Sequence, residues 1–207
     1  MLKFKYTLPF VALLGLSLAP VTRAADAPAA GPDTKFVMAA ARGGEIEVTL
    51  GKLAAEKASS EDVKKFGQQM VDDHSKANEE LKSLAESKKI DLTKPQAAAK
   101  KNGDAMSDKL RKLEGAEFDK GYIMMMVKDH EKDVKAFEKE SKDGEDADIK
   151  AFAAKTLPTL QSHLEMVKEL QKKVGGGSAA GDKKEGGGPT DSEAKKAPGE
   201  STGGRTE

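Results

Sequence analysis

Three histidines are the residues of this chain best suited to chemistry, and two of them sit in a repeated heptapeptide. Met70-Val71-Asp72-Asp73-His74-Ser75-Lys76 returns 56 residues later as Met126-Val127-Lys128-Asp129-His130-Glu131-Lys132, identical at five of seven positions. The third, His163, lies mid-way along another stretch of helical periodicity. Neutral imidazole is a common transition-metal ligand, so three of them on inward helix faces point to a metal centre. Met70 and Met126 each precede a histidine by four residues, and Met166 follows His163 by three. A His/Met set would favour a soft metal such as copper, whereas imidazoles with carboxylates also suit zinc or iron. The competing reading is a hydrogen-bonded core, with the imidazoles paired to carboxylates or to Tyr122 and the methionines as filler. The sequence leaves both readings open.

Four long helices must position these groups. Asp33 or Thr34 is expected to cap a first helix running to about Lys57, with an apolar stripe of Phe36, Ala39, Gly43, Ile46, Leu50 and Leu53. At 100° per residue Glu47 falls beside that stripe, which makes it the inward carboxylate of the first helix. The pair Gly43-Gly44 is expected to allow close approach of a neighbouring helix. Ser59 or Ser60 caps a second helix to about Lys89, whose stripe of Val63, Phe66, Met70, Ala77, Leu81 and Leu84 has His74 at its centre. A third long helix spans about Ala116 to Ser141. Its inward line is Asp119, Ile123, Met126, His130, Val134 and Phe137, with Tyr122 and Asp133 beside it. The fourth runs from Ala147 to about Val174, carrying His163 between Leu160 and Val167, with Pro158 on the opposite face and Gly175 as its stop.

Residues 90–115 form a long connection. Pro95 ends the second helix, a short helix starts near Gln96, and Asn102-Gly103 is expected to interrupt it. A hairpin between antiparallel helices needs only a few residues. A connection this long fits the crossover of a ferritin-like four-helix bundle, in which the second and third long helices run parallel. Glu47, His74, His130 and His163 all lie near the middle of their helices, so they are expected to meet at one level, with Asp119 two turns before His130 on the same face. Glu47 and the three histidines are therefore the candidate metal ligands, and Asp119, Met70 and Met126 are secondary candidates. A di-iron site of the oxidase type is disfavoured. It needs Glu-x-x-His on two helices, and the residues three before the histidines are Val71, Val127 and Leu160. No nucleophile triad, phosphate-binding glycine loop or zinc-protease motif is present, so a binding or structural role is favoured over an enzyme.

The two ends read differently. Lys3 and Lys5 precede an apolar run from Leu8 to Ala19, and Arg23-Ala24-Ala25 supplies small residues: residues 1–24 read as a secretory signal peptide. Residues 25–32 are a linker and 33–174 the bundle. Residues 175–207 hold 10 of the chain's 20 glycines among Lys, Glu, Ser and Pro, and are expected to be a disordered tail. Cleavage removes three bases and no acid, which takes the formal net charge from 0 to −3. That balance argues against nucleic acid as a partner. With no cysteine, disulfides, thiolate metal sites and lipoprotein anchoring are excluded. No membrane-spanning segment is expected in the mature chain, and a periplasmic or secreted location follows, with an envelope protein as a possible partner class.

Several stretches together resemble a known family. They are Phe36 to Gly44, Glu47 to Ala54, Phe66 to His74, Gly115 to Tyr122, the second Met-Val-x-Asp-His, and Leu157-Pro158-x-Leu160-x-x-His163. In these the chain is similar to the exported bacterial domain of unknown function numbered four-one-four-two, often labelled "predicted outer membrane protein". The resemblance implies a ferritin-like helical bundle over about residues 34–173 and supplies no activity. A barrel is not supported, because alternating strand segments are missing from the sequence. Two functions are carried forward: an exported bundle that binds a transition metal for storage, buffering or envelope stress, and a non-catalytic envelope protein whose histidine layer is structural.

Overall fold

The computed structural model describes residues 31–176; the signal-peptide assignment and most of the linker and tail assignments lie outside them, and the last helix runs through Gly175, its expected stop, to Gly176. Five helices follow in order: α1 (Pro32–Lys57), α2 (Glu61–Ser87), α3 (Thr93–Arg111), α4 (Gly115–Asp143) and α5 (Ala147–Gly176). The fold is all-α, and α1, α2, α4 and α5 form the expected ferritin-like four-helix bundle. The pairs α1/α2 and α4/α5 are tightly packed hairpins, and α3 lies on the outside of α1.

Contacts at the two ends fix the helix directions. Asp119, at the start of α4, accepts hydrogen bonds from Ser59 N (2.9 Å), Ser59 Oγ (2.6 Å) and Ser60 N (2.8 Å), at the start of α2. Lys57 reaches Glu114 beside them at 2.6 Å. At the other end Lys88, just past α2, pairs with Asp146 and Asp148 at the start of α5. Asp33 accepts from the backbone of Glu145 and Asp146. So α2 and α4 run parallel, and α3 is the crossover that makes this possible.

Three local expectations change. α3 is one continuous helix of 19 residues, not a short interrupted one. It starts at Thr93, so Pro95 falls in the first turn, where a missing N–H costs nothing. Gly103 does not break it, because it is buried against Thr49 of α1. Neither Asp33 nor Thr34 caps α1: the cap position is Gly31 with Pro32 next, and Asp33 instead satisfies the α4–α5 turn. In the first half of α1 the buried face is Val37, Ala41 and Gly44, rotated from the expected Phe36, Ala39 and Gly43, and Ala39 is exposed, whereas Glu47, Leu50 and Leu53 are buried as expected. The cause is α2: Val37 and Ala41 share a cluster with Leu81 and Ala85, and Gly44 faces Asn78.

Close approach of α1 and α2 occurs at Gly51 and Gly67. A Cβ on either would lie 2.8 Å from the other's carbonyl oxygen. Gly44 also faces α2, against Asn78, whereas Gly43 faces open space.

The apolar core is in two parts. One gathers Leu50, Leu53, Phe66, Met70, Tyr122, Met126 and Val167. The other gathers Val37, Ala41, Leu81, Phe137, Phe152 and Leu160. On each of the four bundle helices the boundary between the two is a single polar residue: Glu47, His74, His130 or His163. Met124, Met125 and Met126 are exposed, half-buried and buried in turn, as consecutive helix positions require.

Candidate metal centre

The polar layer brings three imidazoles together. Ring centroids of His74, His130 and His163 are 5.3, 5.4 and 5.7 Å apart, close to an equilateral triangle. One nitrogen from each ring lies within 4.8 Å of one from each of the others. All three rings are buried, His130 and His163 completely.

Each ring is held by one nitrogen. His74 Nδ1 lies 3.1 Å from Glu47 Oε2. His130 Nδ1 donates to the Met126 carbonyl at 3.0 Å, one helical turn back, and lies 3.5 Å from Glu47 Oε1. His163 Nε2 donates to Asp73 Oδ2 at 3.0 Å. The remaining nitrogens, His74 Nε2, His130 Nε2 and His163 Nδ1, are buried without a hydrogen-bond partner, as is Glu47 Oε1. Carboxylate or carbonyl on one nitrogen and nothing on the other is the pattern of metal-ligating histidine: the outer contact fixes the tautomer and leaves the inner lone pair free. An imidazole–metal bond of about 2.0–2.1 Å places ligand nitrogens about 3.3–3.6 Å apart. The trio would need to close by about 1 Å, within the reach of small χ changes.

Electrostatics agree with neutral ligands. Burial holds His74 well below its ordinary pKa, and the neighbouring His130 and His163 add to this. Burial, with a contribution from His163, takes His130 down to about 4. His163 is also lowered by burial, against the opposing pull of Asp73. Imidazoles that stay neutral near pH 7 keep their lone pairs available. Burial raises Glu47 well above the carboxylate range, and the charges of Asp133 and Asp129 raise it further. Burial and Asp129 push Asp133 up to about 6. A dication would reverse this preference by favouring both carboxylates ionised.

Of the residues singled out from the sequence, Glu47 and the three histidines meet at the centre. Asp119 does not: it is spent on the α1–α2 turn. Met70 and Met126 are fully buried within the apolar cluster on one side of the layer. Asp73 and Asp133 were not among the candidates. Each lies one helix position away from the inward line, and such a carboxylate reaches the ring or acid of a neighbouring helix rather than its own. The Asp-His dipeptide was the available signal for Asp73, and its place beside the inward line of the third long helix was the signal for Asp133. Tyr122 lies near this layer, its ring 6.3 Å from that of Phe66, which in turn is 6.2 Å from His163. Its hydroxyl is buried and unpartnered, and burial raises its pKa.

No helix among the described residues is long and apolar enough to cross a membrane. In structure the chain is similar to a secreted protein of the DUF305 group from Streptomyces coelicolor, with a TM-score of 0.59, 14% identity, and coverage of 70% of this chain and 94% of that one. At that identity the likeness concerns the fold alone. No curated protein matches the chain in sequence. The family model described as "Domain of unknown function (DUF4142)" matches residues 19–170, well over half the length, and so the chain belongs to the DUF4142 family.

Proposed function

We propose that the protein is an exported metal-binding bundle that holds one divalent first-row transition metal, zinc or copper(II), through His74, His130 and His163, with Glu47 anchoring His74 from outside the triangle. One observation carries this reading: three buried imidazole nitrogens without partners belong to rings whose other nitrogens are anchored. Leaving such groups unpaired in a buried core costs about 1–3 kcal/mol each, and a metal removes all three costs at once. The ligand set is three imidazole nitrogens, which suits zinc or copper(II) better than calcium or magnesium. No pair of Glu-x-x-His helices supports a di-iron oxidase. Buffering or storage is therefore favoured over catalysis.

Export is inferred from Lys3, Lys5 and the apolar run after them, and the fold neighbour described as secreted is compatible with it. N-terminal sequencing of the protein recovered from culture fractions tests this. For the centre, untagged mature protein is purified, stripped with chelator and titrated with zinc and copper. One equivalent bound by wild type and none by a His74/His130/His163 triple alanine variant is expected. Binding that survives in the triple variant would refute the assignment.

A further inference from the structure

A groove of about 720 Å³ runs along the outside of the bundle between α1, α3 and α4. It is open because α3 packs on α1 and touches α4 only lightly. Apolar side chains make its walls, among them Phe36, Ile46, Met106, Met125 and Phe137. Its charges are sorted by depth. Arg42, Lys109 and Lys128 are exposed along it, and among the described residues none has a carboxylate within 4.0 Å. Lys132, also exposed, pairs with Asp129 at 3.5 Å. Deeper lie Asp133 and Glu47. These same two residues line a narrow cavity of about 30 Å³ that His74 also lines. Glu47 thus stands between groove and centre, with Oε1 buried, unpartnered and 3.5 Å from His130 Nδ1.

A bare dication approaching by this route meets three unpaired cations first, which is unfavourable. A ligand with a negative periphery and a metal at its heart meets complementary charge at both depths. The volume is in the range of small-molecule sites, roughly 300–1,000 Å³. We propose that the groove receives a small polycarboxylate chelate of a divalent metal, and that Glu47 takes the metal from it and passes it inward. This rests on the reading of the histidine layer as a metal centre. Carboxylates of the chelate bind Arg42, Lys109 and Lys128. Oxygens of Asp133 and Glu47 replace chelate oxygens on the metal one at a time, and any proton displaced from a carboxyl leaves on the freed chelator. The imidazole nitrogens then replace both carboxylates. No electron changes hands, and the metal keeps its charge throughout.

The test follows cobalt(II) uptake by metal-free full-length protein, by visible absorption in a stopped-flow instrument. Cobalt is given as the aquo ion or as its citrate complex at matched free-metal concentration. With wild type, uptake from citrate is expected to run at least tenfold faster than free metal accounts for and to saturate with complex concentration. The double variant R42E/K128E is expected to lose that advantage, while uptake from the aquo ion reaches the same endpoint as wild type. Uptake that tracks free cobalt alone, or an unchanged citrate rate in R42E/K128E, overturns the groove while leaving the centre standing. No uptake from either source at equilibrium overturns both.

Discussion

His130→Leu separates a metal centre from a structural core by the sign of its effect. His130 is fully buried, its Nδ1 bonds the Met126 carbonyl at 3.0 Å, and its Nε2 has no partner. In the metal-free protein leucine removes a side-chain hydrogen bond worth about 0.5–1.5 kcal/mol. It also removes an unpaired nitrogen that costs about 1–3 kcal/mol, at nearly constant volume. The metal-free variant should therefore be as stable as wild type or up to about 2 kcal/mol more stable. For a domain of this size each kcal/mol moves Tm by about 2–4 °C, so the rise is up to about 8 °C. Metal reverses the order. At a free concentration of 1,000 times Kd a bound ion adds about 4 kcal/mol to wild type, about 8–16 °C, and with one ligand gone the variant should gain little. The assay is thermal unfolding of both proteins with chelator and with excess zinc, followed by far-UV circular dichroism. If wild type ignores zinc while the metal-free variant melts more than about 5 °C below it, the imidazole is a structural partner and the orphan-nitrogen argument fails.

Asp119→Ala tests whether that carboxylate is structural: losing three hydrogen bonds at the α1–α2 turn should cost about 2–4 kcal/mol in urea unfolding and leave zinc affinity unchanged. A loss of affinity would return Asp119 to the ligand set. Two glycine-to-alanine changes should have opposite signs. Gly43→Ala meets nothing within 4 Å and should gain up to about 1 kcal/mol from helix propensity. Gly67→Ala would meet Gly51 O, Ala54 Cβ and Ala55 N at 2.8–2.9 Å and should lose about 1–2 kcal/mol; a stabilised Gly67→Ala would show that the α1/α2 contact is looser than described. For the metal-free protein, His130 titrates near 4 against 6.5 when unfolded. A lowered imidazole pKa stabilises the fold fully above pH 6.5 and is lost as pH falls toward 4, a change of about 3 kcal/mol. Protonation of Glu47, whose pKa burial raises, offsets part of it. A Tm that rises steadily from pH 6.5 to 4.5 would contradict this balance.

Periodicity was enough to find the four bundle helices and the level at which Glu47 and the histidines meet, and the length of the 90–115 connection was enough to find the parallel crossover. The reason is that helix phase and helix length are local properties: 100° and about 1.5 Å per residue place a side chain on a face and at a height without reference to anything else. What lies across from that face is not local. That Asp73 holds His163, that Asp119 is consumed by the α1–α2 turn, and that α2 draws the first half of α1 round to Val37, Ala41 and Gly44 all depend on which helices are neighbours. So does the division of labour within each imidazole, one nitrogen anchored and one free. Only packing decides which carboxylate reaches which ring, because each of those contacts joins residues on different helices, and one chain's pattern of apolar spacing carries no record of its partner's rotation.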